Sequence, residues 1–264
     1  MRFVGRSDVG KRRAHNEDAF SISNDCGFAL VCDGMGGHQC GEVASRLAVD
    51  IMSAHASEST DRLVPGPGMP LGRLRQLAQD AVVEWAKDAN TAIFQKGTEI
   101  SNGTEKRMGT TMVFMLMVYD YVILAHVGDS RIYRLRNRRL ELLTQDHITR
   151  MRESKPRSDG KIRVKKYVTR ALGTKPTVDP EVRVEIARPD DAYLMCSDGL
   201  TDLVKEKEIE RLLKETGDDT SLACRSLIHL ANKRGGNDNI TVVIGQVWED
   251  EDDEEDTEDL NELF

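Results

Sequence analysis

The chain has 264 residues, 39% of them hydrophobic, enough to enclose a sizeable core in one large domain or two small ones. No apolar run approaches the roughly 18 residues of a membrane span, and the opening Met1-Arg2-Phe3-Val4-Gly5-Arg6 lacks the apolar stretch of a secretory signal. The expectation is a cytoplasmic monomer with no membrane association.

Cys26, Cys32, Cys40, Cys196 and Cys224 are odd in number and contain no Cys-x-x-Cys pair, which argues against a disulfide framework or a zinc knuckle. Cys32 and Cys196 lie inside apolar runs and read as small core residues. The net charge of −8 is uneven: residues 249–264 hold eleven acids and no Lys or Arg, leaving +3 on the rest. One domain over 1–248 with an acidic, disordered tail is therefore expected.

In chain order, strands are predicted at 28–32, 112–118, 122–127, 131–135, 193–196 and 240–247, all short, rich in Val, Ile, Leu and Tyr, and bounded by Gly, Asp or Asn. Residues 118–122 read as a tight hairpin. Amphipathic helices are predicted at 41–54, 71–95, 206–215 and 220–233. In the first, Val43, Leu47 and Ile51 recur every four residues, with Ala44, Ala48 and Met52 beside them. In the second, Leu74, Leu77, Ala78, Ala81, Trp85, Ala89 and Ile93 form one stripe. Pro65-Gly66-Pro67-Gly68 breaks the chain between them. Helices in pairs and strands in hairpin-like runs predict antiparallel sheets packed together under helices, an α+β fold.

Acids recur at the ends of the apolar runs. Leu30-Val31-Cys32 leads into Asp33-Gly34, His126-Val127-Gly128 into Asp129, and Leu194-Met195-Cys196-Ser197 into Asp198-Gly199. Asp238-Asn239 precedes Ile240, and Asn16-Glu17-Asp18 precedes Ala19-Phe20. An apolar run drives its own burial and carries the adjoining acid to the rim of the core, where clustered carboxylates are partly desolvated and repel one another. Cations relieve that cost, and oxygen ligands without a Cys/His set suit Mg²⁺ or Mn²⁺. Any single acid could be a turn residue, since Asp-Gly and Gly-Asp are common at strand ends; five such sites in one domain favour metal.

Six stretches then stand in a telling order: Arg13-Ala14-His15-Asn16-Glu17-Asp18-Ala19, Val31-Cys32-Asp33-Gly34-Met35-Gly36-Gly37-His38, Gly109-Thr110-Thr111, His126-Val127-Gly128-Asp129-Ser130-Arg131, Ser197-Asp198-Gly199-Leu200 and Gly236-Asn237-Asp238-Asn239-Ile240-Thr241. With them the chain resembles the PPM (protein phosphatase 2C type) serine/threonine phosphatases in their bacterial form, from about Gly5 to Val247. The resemblance implies two antiparallel sheets packed as a sandwich, with helix pairs outside. It also implies two Mn²⁺ or Mg²⁺ ions. Asp33 would bridge them, Asp198 and Asp238 would bind the first, and Glu17 and the Gly34 carbonyl the second. Asp129, with Asp198, would form a weaker third site, and Asp18 would hold metal-bound water.

The implied reaction is hydrolysis of phosphoserine and phosphothreonine in proteins, opposing a serine/threonine kinase. Phosphate monoesters hydrolyse so slowly unaided that enzymes accelerate them by up to ~10²¹-fold. Two metals about 3.5–4 Å apart can lower the pKa of a bridging water and screen phosphate charge, so that a metal-bridging hydroxide attacks phosphorus in line. Arg13 would hold two phosphate oxygens with its planar fork. Some family members place a His directly after the Asp-Gly, where it can protonate the leaving oxygen. Met35 stands there in this chain; no general acid is assigned, and His38 is the nearest alternative donor in sequence.

Other signals are weaker. Cys40 and Arg46 are six apart, as in the phosphate loop of cysteine-dependent phosphatases, but the residues between fit a helix and Glu42 would repel a phosphate dianion. Residues 148–166, the flap region of the family, hold eight basic residues against two acidic ones and read either as a solvated loop or as a docking surface for acidic or multiply phosphorylated substrates. The segment has no aromatic residue except Tyr167 at its edge, so nucleic-acid binding is not expected. The tail reads first as a solubilising segment, and its charge, opposite to that of the flap, raises docking there as the alternative. A catalytically silent phosphoprotein-binding module is the alternative from another class, and the intact acids and Arg13 argue against it.

Overall fold

Strand residues point alternately to opposite faces, and in the central strands of this chain both faces are apolar. That arrangement fixes the layers. A computed structural model describes residues 1–36, 40–59, 63, 69–101, 108–152 and 164–248. One antiparallel sheet runs in the order β1 (Arg2–Asp8), β13 (Ile240–Gln246), β12 (Ala192–Cys196), β7 (Arg131–Arg136), β8 (Arg139–Leu142). The other runs β11 (Glu181–Ile186), β6 (Tyr121–Val127), β5 (Met112–Val118), β3 (Phe28–Met35), β2 (Asp18–Ser23), with the short β4 (Gly109–Thr110) paired to the end of β3. A separate hairpin, β9 (Ile148–Arg152) with β10 (Val164–Val168), forms the described part of the flap.

Alternation then sorts the side chains. Ala29 and Val31 of β3, Val113 and Met115 of β5, Tyr193 and Met195 of β12 and Val243 of β13 meet between the sheets. The intervening residues Leu30, Cys32, Phe114 and Leu116 face outward onto α1 (Cys40–Ser59) and α2 (Leu71–Ser101). On the opposite side Leu194, Cys196, Val242 and Ile244 pack under α3 (Asp198–Thr201), α4 (Glu206–Thr216) and α5 (Thr220–Lys233). The result is the expected α+β sandwich, helix–sheet–sheet–helix, and Cys32 and Cys196 are core residues.

The predicted helices and strands are present, with α1 longer than its periodicity suggested. Its inward stripe also differs. Gly41, Ala44, Ser45, Ala48, Met52 and Ala56 are buried, whereas Val43 is 36% exposed, and Leu47 and Ile51 lie at the edge of the contact. Small residues let the helix approach the sheet closely, and that close approach outweighs the bulk of Val43. The 118–122 hairpin turns at Tyr119 and Asp120, with Tyr119 at positive φ.

The strands missed in sequence were those without a long apolar run: β1, β2, β8, β9, β10 and β11 are polar on at least one face, and β4 is only two residues long. Among the described residues no helix is long and apolar enough to cross a membrane. His38, the centre of the flap, the Pro65–Gly68 break and the acidic tail, with its suggested docking, lie outside the described residues.

Candidate active site

The acids converge because they terminate neighbouring strands at one end of the sandwich. Asp33 continues the Ala29, Val31 face of β3 and so points into the space between the sheets. Its register partner on β2 is Asp18. Cys196 of β12 pairs with Val242 of β13, so Asp198, just after β12, and Asp238, just before β13, emerge side by side from the opposite sheet. Asp129 follows β6, whose Val127 pairs with Met112 at the start of β5.

Each acid is held by the motif around it. Asp33 receives its backbone support from the Gly109-Thr110-Thr111 stretch. Its N–H donates to Thr111 Oγ1 at 3.0 Å, and its carbonyl accepts from Thr111 N at 2.9 Å and Thr110 Oγ1 at 2.9 Å. Gly34 donates to the Glu17 carbonyl at 3.1 Å. A Cβ at Gly34 would lie 2.1 Å from the Gly41 carbonyl oxygen, so only glycine lets β3, the Glu17 loop and the start of α1 meet. The Glu17 carboxylate lies against Gly41 in that first turn.

Asn239 ties this loop to the other sheet. Its Oδ1 accepts from Glu17 N at 2.8 Å, and its Nδ2 donates to the Val9 and His15 carbonyls at 2.9 Å each. Arg13 reaches the same corner, where Nη2 donates to Asp238 Oδ2 at 2.7 Å while the side chain stays half-exposed.

The electrostatics record the crowding. Burial, followed by repulsion from Asp18, Asp198, Asp238 and Asp129, pushes the Asp33 carboxyl well above the usual range. Burial pushes Asp18 up to about 7, although hydrogen bonds from Thr241 and Ser197 oppose the shift; both hydroxyls lie 2.7 Å from Asp18 Oδ2. Asp18 Oδ1 is buried with no hydrogen-bond partner among the described residues. An orphaned buried oxygen beside mutually repelling carboxylates is what a cationic centre with bound water would relieve. The donors are all oxygen, which suits a hard divalent ion. The residues therefore fit the pair of metals expected from the sequence.

Between Asp129 and Asp198, where the resemblance implies a third ion, stands the ammonium group of Lys166. Its Nζ is 2.8 Å from Asp129 Oδ2, 2.7 Å from Asp198 Oδ2 and 3.4 Å from Asp202 Oδ1. Burial alone would lower the Lys166 pKa, but Asp198 and Asp129 hold it above the ordinary value. Sequence reading missed Lys166, Asp202 and the roles of Asn239, Ser197 and Thr241. Their hydroxyl, amide or ammonium groups acquire meaning only from partners distant in sequence.

A second cluster, His126, His147 and Glu181, brings three ligand atoms within 4.8 Å of one another. Its hydrogen bonds already commit them. His147 Nδ1 accepts from Gly128 N at 3.0 Å, which leaves the proton on Nε2, 2.9 Å from Glu181 Oε1. His126 Nε2 faces the Gln145 carbonyl at 3.0 Å and must donate. The cluster thus orients the Gly128-Asp129 corner through protons that a metal would have to displace.

The protein phosphatase 2C family model matches residues 5–222. The serine/threonine phosphatase stp of Listeria monocytogenes serotype 4b is 35% identical over 247 residues, covering 90% of this chain and 93% of that protein. Among solved structures, the Mycobacterium tuberculosis serine/threonine phosphatase PstP/Ppp superposes with a TM-score of 0.75 at 30% identity, covering 94% of this chain and 99% of that one. The catalytic domain of PstP in complex with two manganese ions gives 0.72 at 33% identity, covering 94% and 98%.

Proposed function

The chain belongs to the protein phosphatase 2C family and is a protein-serine/threonine phosphatase, and from that premise we propose that residues 1–248 form a manganese-dependent catalytic domain that hydrolyses phosphoserine and phosphothreonine and so opposes a serine/threonine kinase. The observation that carries the reading is the convergence of Asp33, Asp198, Asp238 and Glu17 at one end of the sandwich, with Asp33 destabilised as an anion by burial and then by its acidic neighbours. The manganese-bound relative supports the choice of metal; Mg²⁺ offers the same hard chemistry.

In this reading Asp33, Asp198 and Asp238 would hold one ion, and Asp33, Glu17 and the Gly34 carbonyl would hold the other. When bound, the pair would make a shared water acidic enough to be hydroxide near neutral pH and would screen the phosphate. The chain's own residues supply the rest. Asp18, fixed by Ser197 and Thr241, offers its free Oδ1 to orient water. Arg13, anchored on Asp238, keeps guanidinium N–H groups at the exposed rim to clamp phosphate oxygens. Asn239 keeps the Arg13–Glu17 loop in register with both.

Phosphorylated proteins are the proposed partners, and the basic flap is a surface for acidic ones. The five free cysteines agree with a reducing, cytoplasmic setting, and the protein is proposed to act as a monomer.

Hydrolysis of a phosphothreonine peptide by the full chain, with and without Mn²⁺, tests the proposal. Activity should require the metal and disappear in Asp33→Asn and Asp198→Ala. Turnover that survives chelation, or that Asp198→Ala leaves intact, would overturn it.

A further inference from the structure

One cation in this site is part of the chain. β10 pairs with β9 in the flap hairpin, Lys166 opposite Arg150. Lys166 and Val168 are its more buried residues, while Val164, Lys165 and Tyr167 are exposed. The period of two therefore turns Lys166 toward the body of the protein, where its ammonium enters the angle between two strand ends and the first turns after β12. Three carboxylates meet it there. Asp129 is only 3% exposed, Asp198 is the first residue of α3, and Asp202 closes that helix. Arg131 also acts on Asp202 electrostatically, but its hydrogen bonds from Nε and Nη2 go to the two oxygens of Asp146 at 2.8 and 2.7 Å.

We infer that Lys166 is a built-in cation that occupies the Asp129–Asp198–Asp202 site in place of a third divalent ion and, in doing so, latches the flap hairpin to the rim of the metal centre. The inference rests on the proposed two-metal reading for its neighbouring ions, but its own content is the third position. An ammonium is a compact point charge with three donors, so it can face three converging oxygens as a metal ion does; the planar fork of Arg cannot. It brings one positive charge to three negative ones, so the site stays under-neutralised. Removing Lys166 strips its charge from Asp129 and Asp202 beside the ligand Asp198 and leaves an oxygen-only trap for a hard divalent cation. The enzyme thereby dispenses with a weakly held ion that it would otherwise have to recruit, and its flap is tethered by the same contact.

The test counts Mn²⁺ ions bound to the full chain by equilibrium dialysis with electron paramagnetic resonance detection of free Mn²⁺. Wild type should saturate at about two equivalents. Lys166→Met should take up one more, and adding Asp202→Asn to it should remove that extra ion. Amide exchange in residues 148–152 and 164–168 should quicken in Lys166→Met when the metal is withheld. Thermal unfolding establishes that each variant is folded, and Lys166→Gln stands in if the Met variant is not. A wild type that already binds a third ion overturns the inference, as does a folded Lys166 variant that gains none. Retention of the full wild-type complement by Asp33→Asn would instead strike the underlying two-metal reading, so the two failures are distinguishable.

Discussion

Asp18 and Asp33 are register partners across the β2–β3 ladder, so both carboxylates leave the same face of one sheet toward the other. Asp33 ends up among acids. Asp18 ends up under two hydroxyls of the opposite sheet, Ser197 and Thr241, each 2.7 Å from its Oδ2. The pairing makes Asp18 a buried acid between the sheets, and on the proposed reading a positioning residue for bound water. Asp18→Asn should lower Mn²⁺ affinity or turnover by about 10–100-fold, as loss of a group that orients bound water or a ligand does. Mn²⁺ titration monitored by calorimetry, alongside steady-state kinetics, separates the two contributions.

Arg13 donates one hydrogen bond to Asp238 and remains half-exposed. Loss of a charged hydrogen bond to phosphate costs about 1.5–3 kcal/mol, which corresponds to roughly 10- to 150-fold in kcat/KM. Arg13→Ala should fall in that range on a phosphothreonine peptide. Arg13→Lys should restore only part of the loss, because it keeps the charge without the fork. Full recovery in Arg13→Lys would remove the bidentate role.

Gly199, the second residue of α3, packs directly against Asn239. A Cβ there would lie 1.9 Å from the Asn239 carbonyl oxygen, a backbone atom with little room to move. Gly199→Ala should destabilise the fold by about 1–3 kcal/mol, and it should weaken metal binding too, because Asp198 and Asp238 are set by these two segments. Chemical denaturation with and without Mn²⁺ measures both.

Cys40 and Arg46 lie on one continuous helix, and Arg46 pairs with Glu42 one turn earlier at 2.9 Å. No phosphate loop is formed between them. Cys40→Ser should leave kcat/KM within about 2-fold of wild type, as expected for a substitution away from the reacting groups. A large loss of activity in that variant would point to cysteine chemistry.

Arg234, which caps α5, donates both Nη groups to Glu208 in the first turn of α4. That bond holds the Glu208 carboxyl down at about 2. A carboxyl lowered in the folded state contributes stability that is present above its unfolded pKa of about 4.3 and is lost as pH falls toward the folded value. Glu208→Gln should therefore flatten the acid side of the stability profile between about pH 4 and 2, measured by thermal unfolding across that range, and should lower stability near neutrality.

Sequence alone determined the layers and the identity of the acids. Runs such as 112–118 and 240–246 are apolar on both faces, so they had to be central strands, and an Asp at the end of such a run is carried to the rim by the burial of its neighbours. The six ordered motifs then supplied a set of expected ligands. The sequence could not say which acids face one another, because register is a long-range property: Asp18 gains its role from Ser197 and Thr241, well over a hundred residues away. Nor could it find Lys166, one of eight basic residues in a segment that reads as solvated. Only the pairing of β10 with β9 turns its side chain inward, and only the junction of two sheets brings Asp129, Asp198 and Asp202 to meet it. Local burial wrote the acids into the sequence; the tertiary structure decided which groups each would face.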